Sequence, residues 1–483
     1  MQKIAILRIL GFLLMLSSFT MVPPVLVSLV YNDGAMMAFV TAFFLTVLLG
    51  SILWFPVRNL KADMRLRDGF LIVVMFWLVT GMAGALPLIL SEAPVLSVTD
   101  SVFEAMSGLT TTGATVIVGL DELPKSILYY RQQLQWIGGI GIVVLAVAVL
   151  PMLGIGGMQL YRAETPGPMK DSKLTPRITE TAKALWYIYL GLTVVCAGAY
   201  WAAGMDLFDA IGHSFATVAI GGFSTHDQSL GYFDSNLVNA VAMVFMILAA
   251  VNFSLHFLAW RSFTVKPYFY DEEFRAYMKV LAFTAILTVG FLYYQGTYTN
   301  LSDALHHGLF QAISAGTTTG FTTAEFQAWP GFLPALLILV SFVGGCAGST
   351  GGGMKVIRML LLVKQGVREV VRLVHPSAQI PVKMGNKPLE ERVMQSVWGF
   401  FSLYVASYIV MSLLLAGSGL DLITAFSAVA ACMNNLGPGL GEVGANYASI
   451  NDFAKWVLCF AMLLGRLEIF TLLVLLSTTF WRK

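Results

Sequence analysis

Long apolar runs alternate with short polar connections along this chain. Ten runs are long enough for a helix to cross a bilayer, which takes roughly 20 apolar residues. They cover Ile4–Val30, Met36–Trp54, Phe70–Leu90, Leu128–Leu153, Ala184–Ala203, Val238–Trp260, Tyr277–Tyr294, Leu333–Val363, Val393–Ala416 and Phe453–Leu476. Pro23-Pro24 predicts a break or kink in the first run, because proline removes a helical N–H and crowds the preceding turn. Lys3 and Arg8 imitate the start of a secretory leader. The run behind them is longer than a leader's apolar core and lacks an Ala-x-Ala cleavage site, so it reads as a retained membrane helix.

Four shorter apolar segments lie between the long ones, at Val98–Leu109, Leu207–Thr217, Leu301–Gly316 and Asp421–Met433. They are too short to span. Each leads into a Gly- and Thr- or Asn-rich stretch and then another long run. Irregular backbone at membrane depth is tolerated only where protein shields it or where it lines a wet cavity. These four places are therefore where a site is expected.

Composition agrees. Of 483 residues, 57% are hydrophobic and 12% charged, against about 25% charged in soluble domains. This excludes a soluble enzyme, a disordered chain and a fibre. Of 29 Lys and Arg, all but Lys125, Arg131, Lys455 and Arg466 fall on one side of the expected crossings, and the positive-inside rule makes that side, with both termini, cytoplasmic. The other side is acidic and should concentrate cations at its mouth. Asp100, Asp209, Asp303 and Asp421 sit at or near the starts of the short segments, where a carboxylate also caps a helix. Asp271-Glu272-Glu273 reads as a solvated cytoplasmic patch. The four cysteines form no CxxC pair and the six histidines no helical metal pair.

The short segments belong to a fourfold repeat with a period of about 100 residues. Thr110-Thr111-Thr112-Gly113 is matched by Ala219-Ile220-Gly221-Gly222, by Thr317-Thr318-Thr319-Gly320 and, more loosely, by Asn434-Asn435-Leu436-Gly437. One such stretch would merely let helices pack closely. Four of them, each after a half-span, argue for loops meeting around an axis. A dehydrated alkali cation needs a ring of oxygens, which backbone carbonyls supply, and glycine permits the backbone angles that aim them. Thr110, Thr317 and Asn434 add side-chain oxygens or brace the loops. Two further features lie deep in the apolar runs: the stretch Gly344–Gly353 with six glycines, which no regular helix tolerates, and Arg466, whose neighbour Glu468 points to another helix face.

These motifs, with Gly156–Glu164, Gly344–Gly353 and Gly465-Arg466-Leu467-Glu468, make the chain resemble the TrkH family, the membrane subunits of bacterial Trk potassium-uptake systems within the Trk/Ktr/HKT superfamily. The resemblance spans essentially the whole length. It implies an all-α polytopic membrane protein with ten transmembrane helices: two N-terminal helices (1–68) and four pseudo-fourfold helix–pore-loop–helix repeats (69–182, 183–275, 276–390 and 391–483). It implies a K⁺ filter at the four tetrapeptides. The backbone carbonyls of Thr111, Thr112, Ile220, Gly221, Thr318, Thr319, Asn435 and Leu436 would hold the ion. It implies a gate formed by Gly345, Gly348, Ser349, Thr350, Gly351, Gly352, Gly353 and Arg466. It also implies a homodimer in the bacterial inner membrane with a cytoplasmic nucleotide-binding regulatory subunit, TrkA. Nothing calls for an organic cofactor, covalent chemistry or nucleic acid. Two rivals are a K⁺/H⁺ or K⁺/Na⁺ symporter and a membrane enzyme acting on lipid. Symporters tend to have inverted repeats and midplane ionisable groups; a lipid enzyme would need clustered His, Asp or Cys at membrane depth.

Overall fold

The computed structural model describes residues 3–59, 66–144, 178–385 and 387–482. The Gly156–Glu164 motif, the basic stretch 162–177, the end of the Leu128–Leu153 run, and Lys61 and Arg65 lie outside these residues. Six described helices are long and apolar enough to cross a membrane: Ile6–Tyr31, Met36–Val57, Asp68–Leu90, Ala182–Ala202, Glu272–Tyr294 and Glu391–Gly417. The bent pair Asn236–Ala249 and Phe253–Ser262 is long and apolar enough to make a seventh if it is counted as one span. Of the remaining expected runs, one is described as the helix Lys125–Val144, and two are interrupted: Leu333–Ser341 with Val356–Val374, and Asp452–Arg466 with Phe470–Leu476.

The distribution of polarity is that of a protein solvated by lipid. Phe44, Ile52, Val194, Ile286 and Leu413 are exposed, whereas Thr110, Ser314, Thr317 and Asn434 are fully buried. With no water around the outer surface, polar groups must find partners inside. Gly11 and Gly50 bring the helices Lys3–Ser18 and Met36–Trp54 together: a Cβ on Gly11 would lie 2.7 Å from the Gly50 carbonyl oxygen.

Several interruptions have visible causes. The first run breaks at a 3-10 turn, Phe19–Met21, just before the prolines. Pro24 cannot donate to the Thr20 carbonyl four residues back, and Gln133 Nε2 does so instead at 2.8 Å. The expected straight run Val238–Trp260 instead bends by 96° between Ala249 and Phe253, although no proline or glycine lies there. Its freed groups are taken by the Gly-rich stretch: Cys346 N–H donates to Ala250 O at 2.8 Å and Phe253 N–H to Gly348 O at 3.1 Å. The last run breaks after Arg466, where Glu468 and Ile469 adopt positive φ and Glu468 pairs with Arg358 at 2.8 Å. A two-stranded antiparallel hairpin, Lys383–Met384 with Lys387–Pro388, departs from the all-helical expectation. It is pinned by Gly385 N–H on Glu272 Oε2 at 2.7 Å.

The four short helices are Val98–Leu109, Leu207–Ala219, Leu301–Thr317 and Leu422–Met433. Their caps differ from expectation. Asp421 does cap, accepting from the Ile423 and Thr424 N–H groups, but Ser97 and Asp206 cap the first two helices. Asp100 instead takes the Lys455 ammonium at 2.7 Å, and Asp209 takes Thr225 Oγ1 and His226. Asn300 precedes the third helix without a side-chain cap, and Asp303 lies in its first turn.

Candidate functional site

All four short helices end in the same backbone geometry. Thr111, Ile220, Thr318 and Asn435 are left-handed, with φ of 50°, 54°, 66° and 53°. The next N–H in each case, from Thr112, Gly221, Thr319 and Leu436, donates five residues back to Ser107, Ala216, Ser314 and Ala431, every time at 2.8 Å. This is the Schellman closure, which usually employs glycine at the left-handed position. Placing other residues there costs about 1–2 kcal/mol each, most conspicuously for β-branched Ile220. Such strain persists where the surroundings over-determine it.

Two residues later φ is positive again, at Gly113, Gly222, Gly320 and Gly437 (φ 83°, 78°, 85° and 93°). The intervening residue keeps negative φ. In an extended chain successive carbonyls point to opposite sides; alternating the sign of φ brings them to one side.

The four loops close a ring. A Cβ on Gly113 would overlap the Gly221 carbonyl oxygen, one on Gly222 that of Thr319, and one on Gly320 that of Leu436; one on Gly437 would lie 2.7 Å from Thr112 O. Each loop thus lays the peptide before its glycine against the glycine of the preceding loop, and the fourth contact returns to the first. All sixteen residues of the tetrapeptides are brought together here, and all are buried except Gly113 and Gly222, which are half-buried.

Side chains lock the ring from behind. Thr110 Oγ1 donates to Met106 O at 2.7 Å and meets Thr112 Oγ1 at 2.8 Å. In the third loop Thr317 repeats this with Ile313 O and Thr319 Oγ1 at 2.8 and 2.7 Å. In the second, Gln135 donates to Gly221 O at 2.6 Å and accepts Phe223 N–H at 3.1 Å. In the fourth, Asn434 binds Tyr404 and Ser341, and Asn435 Nδ2 reaches across to Thr112 Oγ1 at 2.9 Å. Glu104 and Arg131 form a buried ion pair at 2.8 Å. Glu104 also accepts Val116 N–H at 2.9 Å, and Arg131 Nη1 donates to Ser224 O at 3.2 Å, so the pair ties the first loop to the second.

The Gly-rich stretch folds as a loop against one side of this ring, between Leu333–Ser341 and Val356–Val374. Gly352 N–H donates to Thr318 Oγ1 at 2.7 Å and Gly353 N–H to Asn434 O at 3.0 Å. Thr350 Oγ1 donates to Val218 O and Ala249 O at 3.0 and 3.2 Å. Ser349 Oγ closes on Cys346 O at 2.6 Å, and Gly345 O accepts Val356 N–H at 3.1 Å. Arg466 Nη1 donates to Thr350 O at 3.2 Å, while its buried Nε and Nη2 have no partner among the described residues. Ser349, Gly352, Gly353 and Arg466 line one small cavity with Lys355, Arg358 and Tyr404.

On the other flank of the ring, His226 stacks on Tyr232 and joins Asp121 of the first repeat to Asp209 of the second, the latter at 3.1 Å. Burial by itself lowers the imidazole, but hydrogen bonds and charge from Asp209 and Asp121 outweigh it and hold His226 above its ordinary value.

Sequence reasoning singled out the glycines and Arg466 but missed Gln135, Tyr404 and the pairing of Glu104 with Arg131. An acid in a short apolar helix and a lone base on the acid-rich side were the available signals. It also misplaced Glu273, which is buried and accepts Ala347 N–H at 2.7 Å.

A family model described as "TrkH: Cation transport protein" matches residues 35–483. The Trk system potassium uptake protein TrkH of Vibrio parahaemolyticus is 59% identical over 485 residues, covering 100% of both chains. The TrkH protein of Escherichia coli is 55% identical, covering 99% of each, and the TrkG protein of the same organism 44%, covering 98% of this chain and 97% of its own. The crystal structure of the potassium transporter TrkH from Vibrio parahaemolyticus superposes with a TM-score of 0.93 at 57% identity over 100% of both chains. With the family model spanning more than nine-tenths of the sequence and whole-length likeness in both sequence and fold, this chain belongs to the TrkH family of cation transport proteins.

Proposed function

We propose that this chain takes K⁺ up across the bacterial inner membrane through a single pore on the axis of the four loops. The observation that carries this reading is the closed ring of four glycine loops, each with the same left-handed closure. Such a ring replaces a hydration shell with carbonyl dipoles and needs no covalent chemistry. The filter consists of the four tetrapeptides, with the carbonyls of Thr111, Thr112, Ile220, Gly221, Thr318, Thr319, Asn435 and Leu436 as K⁺ ligands. The division into four repeats after two N-terminal helices belongs to the same reading, as do the ten crossings.

The driving force is the membrane potential, worth about 2.3 kcal/mol per unit charge per 100 mV. The loop Gly345–Gly353 and Arg466 form the gate on the basic side, read as cytoplasmic because it carries nearly all the Lys and Arg. The full-length likeness to Trk-system potassium uptake proteins supports the choice of K⁺; a second copy of the chain and a TrkA-type regulatory subunit are the partners this reading proposes.

The test is cation flux in vesicles holding the purified chain. Reversal potentials should follow the K⁺ gradient and ignore imposed Na⁺ and pH gradients. Gly222→Ser should cut the K⁺/Na⁺ preference at least about tenfold, since its side chain would enter the Thr319 carbonyl. A reversal potential that tracks H⁺ or Na⁺ establishes the symporter instead. Unchanged selectivity in Gly222→Ser removes the ring from the filter.

A further inference from the structure

The loop that carries the proposed gate has two shoulders, and both rest on one carboxylate oxygen. Glu273 Oε1 accepts the Ala347 N–H at 2.7 Å and the Ile357 N–H at 3.2 Å. These donors flank the segment Ser349–Gly353, which reaches Thr318, Asn434 and Arg466. Glu273 lies in the first turn of Glu272–Tyr294 and is 1% exposed. A carboxylate is brought into such a place only where it accepts strong hydrogen bonds.

Its neighbour Glu272 faces the other way. It pairs with Lys364 and accepts Gly385 N–H from the small hairpin, while Lys364 also donates to Lys383 O at 2.7 Å. One helical turn therefore holds the loop by one acid and the hairpin by the next.

We propose that Glu273 is a positioning residue for the gate: its carboxylate clamps both ends of the Gly-rich loop and so keeps the segment Ser349–Gly353 in the ion path. This rests on the conduction reading above and adds to it what holds the barrier shut. Other contacts hold the middle of the loop, through Thr350, Gly352 and Gly353, and Lys355 folds back on Gly351. The backbone bond from Val356 N–H to Gly345 O also joins the two shoulders; Glu273 is the side chain that accepts from both of them.

The experiment measures K⁺ and Na⁺ flux into vesicles for the full chain without any regulatory subunit. Glu273→Ala removes the acceptor of both N–H groups and should raise K⁺ flux at least about fivefold, with the K⁺/Na⁺ preference and the elution profile unchanged. Glu273→Gln keeps a carbonyl oxygen in the same place and should raise flux about twofold, partly rescuing the closed state; it decides the matter if the alanine variant does not fold. Unchanged or lowered K⁺ flux in either folded variant overturns the clamp. So does a rise in which Na⁺ follows K⁺, because that reports damage to the ring rather than release of the loop. Absence of K⁺ flux from the unaltered chain overturns the conduction reading, and the clamp with it.

Discussion

Arg466 shows how far a single residue could be read before the fold was known. A cation inside an apolar run is expensive and points to function by default. Its position, donating to Thr350 O with two further donor nitrogens unpartnered among the described residues, gives that expectation a site. A positive charge beside the path repels a passing cation. Arg466→Ala should therefore raise K⁺ flux severalfold while thermal stability is retained, because the change deletes a buried charge instead of stranding one. Flux assays paired with melting curves check this; equal flux from a well-folded variant would free Arg466 from the gate. The four loop glycines were legible for a similar reason: few other residues accept both the backbone angle and the close approach of a neighbouring carbonyl. The roles of Asp100, Asp209 and Glu273 were not, because capping, ion pairing and burial differ only in which partner a carboxylate meets.

At the level of elements, periodicity and length located the short helices to within a few residues, since a half-length apolar run followed by glycine has few other solutions in a membrane. Proline placed the break in the first helix. The 96° bend at 250–252 had no such mark, because its cause is the Gly-rich loop pairing with its backbone from about a hundred residues away. The Glu104–Arg131 pair is similar: each charge belongs to a different element, and only their convergence behind the ring gives them one task. Removing one partner of such a pair typically costs about 3–5 kcal/mol, because the other charge stays buried. Glu104→Gln is expected to lower the melting temperature and to weaken K⁺/Na⁺ discrimination, as the loop at Thr115-Val116 loses its acceptor and Arg131 its counter-charge. Differential scanning fluorimetry in detergent, followed by flux selectivity, separates this from a neutral surface change.

At the scale of the whole molecule, four loops far apart in sequence form the ring, and side-chain clasps run between them. Asp121–His226–Asp209 is one of them. Asp227 adds a second link across the same boundary, through the Gly119 and Leu120 N–H groups, and the His213 ring approaches from the second short helix. Because the folded protein raises the His226 pKa, its stabilising effect is complete below the ordinary histidine value of about 6.5 and is lost as pH rises through the raised folded value. The melting-temperature gap between the unaltered chain and His226→Gln should accordingly be widest near pH 6 and narrow by about pH 9. A gap that grows with pH would show that His226 is held neutral.

Apolar run lengths, the basic bias of one side and the spacing of four glycine motifs were enough to specify a membrane protein with four loops and to name the loops, because lipid leaves a chain few ways to satisfy its backbone. Which loop touches which, where helices bend without proline, and which acids are buried depended on contacts between separate elements, such as Gly113 with Gly221 and Glu273 with Ala347. Those contacts exist only after the repeats have packed around their common centre, so no local pattern could carry them.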